Sequence, residues 1–461
     1  MVRRIYRHLP KQKLILAFGD SLLIFGGLLV TSAIISPRKS ALPLPEAAVL
    51  ILITFFLSFY LANLYSYFLL PYQKKKIVVY LVFAIGGAAG FLEFFSFIMP
   101  DVAIGWQSLT VFALVMLLTG YLWRNFFESV RRWLGQPIQT LIIGTGWAGA
   151  TIGSCLEQVR EFKVIGYVSD DLSNSAVKTI EHLVLGATPD LLLLVDRHQP
   201  ALIVLAITSE QRDDLSQVLL ECKMRRGIEF SDMSSLYEEL TGKIPVSYIR
   251  DSWFLDNLLR GIQKTLYTVH LKRLADVVLS LGGFVLSLPL SVFSIVAIIV
   301  EDGFPVLYKQ KRVGQNEREF WLLKYRSMRK DSEDSTGAVW AKFKDDRVTK
   351  VGQVLRLFHI DEIPQMWNVL KGEMSFIGPR PEQPKFVSEL KEKISYYWVR
   401  HLIKPGITGW AQVNYPYGAS EEDAQEKLQY DLYYIKSMSV LLDFHILLRT
   451  IRVVLFRQGS R

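Results

Sequence analysis

Leu274-Ala-Asp-Val-Val-Leu-Ser-Leu-Gly-Gly-Phe-Val-Leu-Ser287-Leu-Pro289-Leu-Ser-Val-Phe-Ser-Ile-Val-Ala-Ile-Ile-Val300 is the stretch on which the fold turns. As straight helix it is about 40 Å long, more than the ~30 Å of a hydrocarbon core. Lys264, Lys272 and Arg273 precede it, and Lys309, Lys311, Arg312, Lys324 and Arg326 follow it. Basic flanks stay cytoplasmic, and a single crossing cannot satisfy both. Proline at 289 lacks the N–H that a helix interior needs and clashes with the preceding turn, so a bend is expected at Ser287-Leu-Pro289. The segment 274–300 therefore reads as a re-entrant helix that breaks at Ser287 and Pro289 and returns to the side it entered. A kinked full span is the alternative.

Working outward toward the N-terminus, four more apolar stretches occupy residues 14–36, 47–64, 77–99 and 106–123. Each is near the ~20 residues that cross a bilayer as helix. Arg3, Arg4, Arg7, Lys11 and Lys13 precede the first, Lys74, Lys75 and Lys76 lie between the second and third, and Arg124, Arg131 and Arg132 follow the fourth. This pattern puts both ends of a four-helix transmembrane bundle, residues 1–130, in the cytoplasm, against the dissent of Arg38 and Lys39. A cleavable signal peptide is the competing reading of residues 1–36. Asp20 and Glu93 lie inside apolar stretches, as snorkelling, bundle-facing or functional acids. Half of the 461 residues are hydrophobic and the mean hydropathy is +0.23, which fits a chain that faces lipid. The net charge of +9 is placed at membrane flanks, and no nucleic-acid partner is expected.

Residues 136–250 form the next domain. Ile138 to Ile143 is a buried-strand pattern, followed by Gly144-Thr-Gly146-Trp-Ala-Gly149, a helix, and a second strand that ends near Asp170. Strand, glycine turn, helix and a later acid make a Rossmann-like α/β domain with a nucleotide-type loop at Gly144, Gly146 and Gly149. Glycines also serve simply to pack helix on strand, and Trp147 crowds the turn, so dinucleotide binding and a structural role both remain. Cys155 and Cys222 read as buried packing thiols. Residues 251–270 are a linker.

Toward the C-terminus stands Arg356-Leu-Phe-His-Ile-Asp361-Glu362-Ile-Pro364-Gln365. Pro364 suits a first helical turn, and Gly372 ends the apolar run Ile363, Met366, Trp367, Leu370. Asp361 is then expected at the N-cap, ionised by free N–H groups and the helix dipole.

From Lys272 onward the chain resembles the bacterial sugar transferases, in their large polyprenyl-phosphate hexose-1-phosphate transferase form. The matching blocks are Lys272-Arg273-x-x-Asp276, Lys324-Tyr-Arg326-Ser-Met, Asp361-Glu362-Ile-Pro-Gln, Gly372-Glu-Met-Ser-Phe-Ile-Gly378-Pro-Arg380-Pro381-Glu382, Lys404-Pro-Gly406-Ile-Thr-Gly409-Trp410-Ala-Gln-Val-Asn414 and Tyr430-Asp431-Leu-Tyr-Tyr434-Ile-Lys. The resemblance implies a covalent nucleophile at Asp361, a UDP-hexose donor, undecaprenyl phosphate as acceptor, a re-entrant helix, a homodimer, and a place in the bacterial inner membrane with the soluble parts cytoplasmic. Phosphoryl transfer between anions also needs neutralising charge. Glu362 is expected to hold Mg²⁺, which takes one or two carboxylates plus substrate phosphates. Arg380, stiffened between two prolines, suits a bidentate phosphate contact. Arg356, Lys272, Arg273, Lys324 and Arg326 are further phosphate candidates, and membrane-surface anchoring is an alternative for Lys272 and Arg273.

The expected architecture is a multi-domain membrane protein: the bundle, the Rossmann-like domain, and an α-rich monotopic catalytic domain over 271–461. The apolar-periodic pieces around Leu428 and over 440–456 read as helices lying on the membrane interface or as core helices. Asn414-Tyr-Pro-Tyr departs from the Asn-Gly continuation of many relatives. Two other classes are open: a membrane-bound nucleotide-sugar oxidoreductase resting on the glycine turn, and a non-catalytic scaffold resting on the bundle.

Overall fold

The computed structural model describes residues 2–35, 45–62, 64–65, 77–98, 105–134, 137–159, 161–170, 183–207, 213–248, 270–329, 347–415, 418 and 420–455. Lys264, Lys74 to Lys76 and most of the expected linker lie outside them. The chain divides into two compact units, Met1–Leu236 and Tyr237–Arg461.

The first unit begins with helices α1 (Val2–Ile35), α2 (Pro45–Leu61), α3 (Ile77–Ile98) and α4 (Trp106–Leu134). Helix α1 packs on α4, α2 on α3, and α3 on α4. Ile24, Phe55, Phe59, Leu81, Phe112 and Met116 fill the interior, while Phe18, Phe83, Phe94 and Leu114 face outward. Four described helices are long and apolar enough to cross a membrane: Leu14–Ile34, Ile77–Ser96, Trp106–Val130 and Lys272–Asp302. Thus the set differs from the four expected at the N-terminus. The second stretch is helical over 17 residues only, the lower limit for spanning, because Pro45 starts it and the chain turns at Ala62.

Arg124 is a correction to the flank reading. Its guanidinium is fully buried and forks onto Asp20, Nη1 to Oδ1 at 3.0 Å and Nη2 to Oδ2 at 3.1 Å. It also lies over the Phe59 ring at 5.0 Å. Asp20 is a bundle-facing carboxylate, since an unpaired charge among apolar helices would be costly.

The rest of the unit is an α/β layer: β1 (Ile138–Ile143), α5 (Trp147–Glu157), β2 (Phe162–Val168), β3 (Val184–Gly186), α6 (Leu191–His198), β4 (Leu202–Leu205), α7 (Asp213–Arg226), β5 (Glu229–Asp232) and α8 (Met233–Thr241), the last reaching into the second unit. The five strands pair in parallel in the order β3-β2-β1-β4-β5. Leu141, Ile142 and Ile143 are all buried, as a strand covered on both faces requires. Gly144 has φ +112°, and a side chain on Gly149 would meet the Gly144 carbonyl oxygen at 2.0 Å. Trp147 stays exposed, and Asp170 Oδ1 accepts from the Thr188 N–H at 2.7 Å. Cys155 and Cys222 are free thiols, and only Cys222 is fully buried.

The second unit opens its main body with α9 (Lys272–Asp302). The helical element continues through Ser287 and Pro289, with Pro289 inside it, so no loop separates the two halves expected on either side of the bend. Apolar positions before and after Pro289 favour helix throughout, and only one intrahelical bond is forfeited. Val285, Leu286, Phe293 and Val300 are exposed, Leu286 to 84%. Asp276, Ser280, Ser294 and Ile298 are buried on the other side.

There follow the antiparallel hairpin β6 (Leu307–Val313) and β7 (Glu319–Tyr325), α10 (Lys350–Leu357), α11 (Gln365–Lys371), β8 (Ser375–Ile377), α12 (Pro384–Lys393), β9 (Gly406–Thr408), α13 (Trp410–Asn414), α14 (Glu421–Ser437) and α15 (Val440–Leu455). Strands β8 and β9 pair in parallel. Ile377, Phe386, Tyr397, Trp410, Leu428 and Ile435 share one core. Helix α15 is two-faced, with Ile446 in that core and Leu441 81% exposed.

Candidate active site

The dyad sits between two short helices. Thr349 caps α10 by accepting from the Gly352 N–H at 2.9 Å. The chain then turns at His359 (φ 54°) into a 3-10 turn over Ile360–Glu362. Helix α11 starts at Gln365 with Pro364 as its cap, and Gly372 (φ 86°) ends it. Gly372 ends the helix as expected, but Asp361 is not the N-cap: it lies one turn upstream, in the 3-10 turn that ends at Glu362, and Pro364 takes the cap position, where its missing N–H costs nothing. Burial and nearby side-chain charges, rather than a helix end, set the electrostatics of Asp361.

Asp361 and Glu362 are both buried, at 6% and 9% exposure. Arg380 Nη2 donates to Glu362 Oε1 at 2.6 Å, and Lys324 Nζ donates to the same oxygen at 3.1 Å. Burial opposes ionisation of Glu362, but Arg380 and Lys324 outweigh it and hold its carboxyl far below the usual range. For Asp361 burial prevails. It pushes that carboxyl above the usual range, with Lys324 opposing, the Glu362 charge adding to the rise, and Arg356 and His359 opposing. Adjacent acids pushed in opposite directions are fitted to different roles.

Each cation is positioned by its own scaffold. Lys324 lies on β7, which the fully buried Asn368 of α11 holds by donating to the Trp321 carbonyl at 2.7 Å and accepting from the Leu323 N–H at 3.1 Å. Arg380 follows β8, and its carbonyl accepts from Arg400 Nη2 at 3.0 Å. Arg400 in turn pairs with buried Asp431 at 2.8 Å and donates to the Tyr397 hydroxyl at 2.6 Å.

Of the expected site residues, the fold brings Asp361, Glu362, Lys324 and Arg380 together, with Arg356 near enough for its charge to act on Asp361. Arg356 Nε donates to Ser327 Oγ at 2.8 Å. The other three cations are engaged elsewhere. Arg326 donates to the Asp302 and Gly303 carbonyls at 2.7 Å and pairs with the Asp302 carboxylate at 3.0 Å. Lys272 binds Asp443 and Tyr434. Arg273 donates to the Val369 and Leu370 carbonyls, capping the C-terminus of α11. Sequence reasoning missed Asn368, Arg400 and Asp431 as organisers. Asn368 and Asp431 carried a usable signal as polar residues inside apolar-periodic helices.

No group of three or more His, Cys, Asp or Glu arranged for a metal occurs among the described residues. The Asp361 and Glu362 carboxylates are hard oxygen donors of the kind that Mg²⁺ takes beside water and substrate phosphate, and Glu362 Oε1 already accepts from Arg380 and Lys324. The two carboxylates do not make a closed structural site.

The family of bacterial sugar transferases matches residues 267–457. The chain is 38% identical over 261 residues to the UDP-N-acetylgalactosamine-undecaprenyl-phosphate N-acetylgalactosaminephosphotransferase of Aeromonas hydrophila, covering 56% of this chain and 60% of that one. It is 33% identical over 276 residues to the UDP-glucose:undecaprenyl-phosphate glucose-1-phosphate transferase of Xanthomonas campestris pv. campestris, covering 58% and 55%. An uncharacterized sugar transferase of Bacillus subtilis is 38% identical over 189 residues, 41% of this chain and 89% of its own length. The chain thus spans little more than half the length of the first two relatives. It belongs to the bacterial sugar transferase family.

Proposed function

We propose that the protein transfers a hexose-1-phosphate from a UDP-hexose to undecaprenyl phosphate. The observation that carries this reading is the Glu362 carboxylate held by Arg380 and Lys324 beside the less acidic, buried Asp361.

The Asp361 carboxylate attacks the phosphorus that bears the sugar, the bond between the two phosphorus atoms' bridging oxygen and that phosphorus breaks, and UMP leaves. An oxygen of undecaprenyl phosphate then attacks the same phosphorus and expels Asp361, giving a lipid diphosphate sugar. Asp361, as the more basic acid of the pair, is the better nucleophile once ionised. Glu362 would hold Mg²⁺, which when bound would supply charge neutralisation at the phosphate oxygens. Arg380 and Lys324 bind and orient the diphosphate, and Arg356 adds positive charge on the Asp361 side.

Both ends of α9 are tied to one body, which supports a re-entrant helix over a crossing one. At its start, Asp276 Oδ1 accepts from Ser375 Oγ and the Phe376 N–H. At its end, the Glu301 carboxylate accepts from the Lys350 and Val351 N–H groups. A helix that crossed would carry its two ends to opposite sides. The exposed apolar faces of α9 and α15 then lie in the inner leaflet, with the dyad on the cytoplasmic side where nucleotide sugars are found. The parallel sheet, with its strand order, is read as Rossmann-like, and the glycines at 144 and 149 as packing devices.

Purified protein in lipid nanodiscs, given a panel of UDP-sugars with and without undecaprenyl phosphate, should release UMP with one donor and only in the presence of Mg²⁺. No UMP from any donor, with the acceptor present, would overturn the reading.

A further inference from the structure

The family match begins at residue 267, yet the second unit begins at Tyr237. The segment from Tyr237 to Tyr248 is built into the catalytic body. Ile244 and Val246 are buried in the same core as Leu428, Tyr430 and Ile435. The Ile244 N–H donates to the Gln429 carbonyl at 3.1 Å, and Trp410 Nε1 donates to the Gly242 carbonyl at 2.8 Å. Gly242 has φ +65°, and the Trp410 ring lies 3.1 Å from where its Cβ would stand. Two ion pairs flank this bonded turn: Lys243 with Glu426, and Lys436 Nζ with Glu238 Oε2 at 2.6 Å. Ser247 Oγ accepts from Gln425 Nε2 at 2.8 Å.

All of these partners except Trp410 belong to α14, and the opposite side of α14 carries Asp431. That carboxylate pairs with Arg400, whose Nη2 also donates to the Arg380 carbonyl. Arg380 is the cation 2.6 Å from Glu362. We propose that residues Glu238 to Ser247 act as a positioning clamp for the active site: they fix α14, and through Asp431 and Arg400 they set the backbone that aims Arg380 at the dyad. The clamp residues touch no substrate. They act through another group, and the expected signature is a change in catalysis that depends on Arg380. The inference rests on the function proposed above.

The test uses the full chain in nanodiscs with the paired substitution Glu238→Gln, Lys243→Ala, alone and combined with Arg380→Lys. Carried by an intact Arg380, the clamp variant should lose about tenfold in kcat/KM for the donor, mainly in kcat. Combined with Arg380→Lys, the further loss should be less than twofold, because the two changes disable one arrangement. Lys243→Arg should restore most of the activity. Multiplicative losses in the combined variant would mean general weakening and would overturn the clamp. Hydrogen exchange gives a readout free of turnover: amides of residues 378–382 should exchange faster in the clamp variant, and unchanged exchange there would also overturn it. Wild-type protein that releases no UMP would instead count against the proposed function and leave the exchange result to decide the clamp.

Discussion

Arg380 and Glu362 form the shortest described ion pair of the dyad, 2.6 Å from Nη2 to Oε1, with Lys324 3.1 Å from the same oxygen. One carboxylate oxygen therefore holds two cations in a half-buried site, where a charge-assisted bond is stronger than at the surface. Arg380→Ala should lower kcat/KM by roughly 10²–10³, with little change in Tm because the side chain is partly exposed. Arg380→Lys should recover only part of this, since an ammonium lacks the planar fork. Steady-state UMP release beside a thermal melt checks both.

Arg326, although two residues from Lys324, is expected to behave differently. Its guanidinium joins the end of α9 to the hairpin through two carbonyls and the Asp302 carboxylate. Arg326→Ala should destabilise the second unit by about 2–4 kcal/mol, leaving buried acceptors unpaired. Lys324→Ala should instead cost activity with a smaller fall in Tm. Denaturation and turnover measured on the same samples separate the two residues.

The bundle offers a test of its own. Asp20→Asn leaves Arg124 buried without its counter-charge, and the bundle should lose about 3–5 kcal/mol. Replacing both residues with leucine should recover much of that loss. Protease resistance of residues 1–134 in detergent is a suitable readout.

Asp431 gives a pH dependence with a definite sign. Burial pushes its carboxyl up to about 6, against the pull of Arg400. As pH falls through about 6 the acid takes a proton, Arg400 loses its partner, and activity should fall. Stability linked to this one group runs the other way. The native state holds the proton more tightly than the unfolded chain, so the contribution is fully present below about 3.9 and is lost as pH rises to about 6, on the order of 3 kcal/mol. The pH profile of kcat/KM for wild type and for Asp431→Asn checks this, with the step near pH 6 expected only in wild type.

Much of this architecture was legible in the residues. Apolar runs marked the membrane helices, and the alternation of strand, Gly144 turn and helix marked the parallel sheet, because these signals are local and periodic. Gly372 was legible as a helix end for the same reason. Long-range pairing was not. Nothing local tells Arg124, which reads as a flank charge, that it meets Asp20 more than a hundred residues away. Nor does spacing separate Lys324, at the dyad, from Arg326, at the end of α9. The misplacement of Asp361 as a cap arose from Pro364, which fits equally the first turn of a helix and the position before it.

On the proposed mechanism, Asp361 takes the sugar phosphate. Intact-mass analysis of the protein mixed with its UDP-sugar and Mg²⁺, without acceptor, tests it most directly. The expected result is a mass increase of one hexose phosphate unit, mapped to Asp361 by peptide sequencing and absent in Asp361→Asn. Full turnover by Asp361→Asn, or an adduct on a different residue, would contradict it.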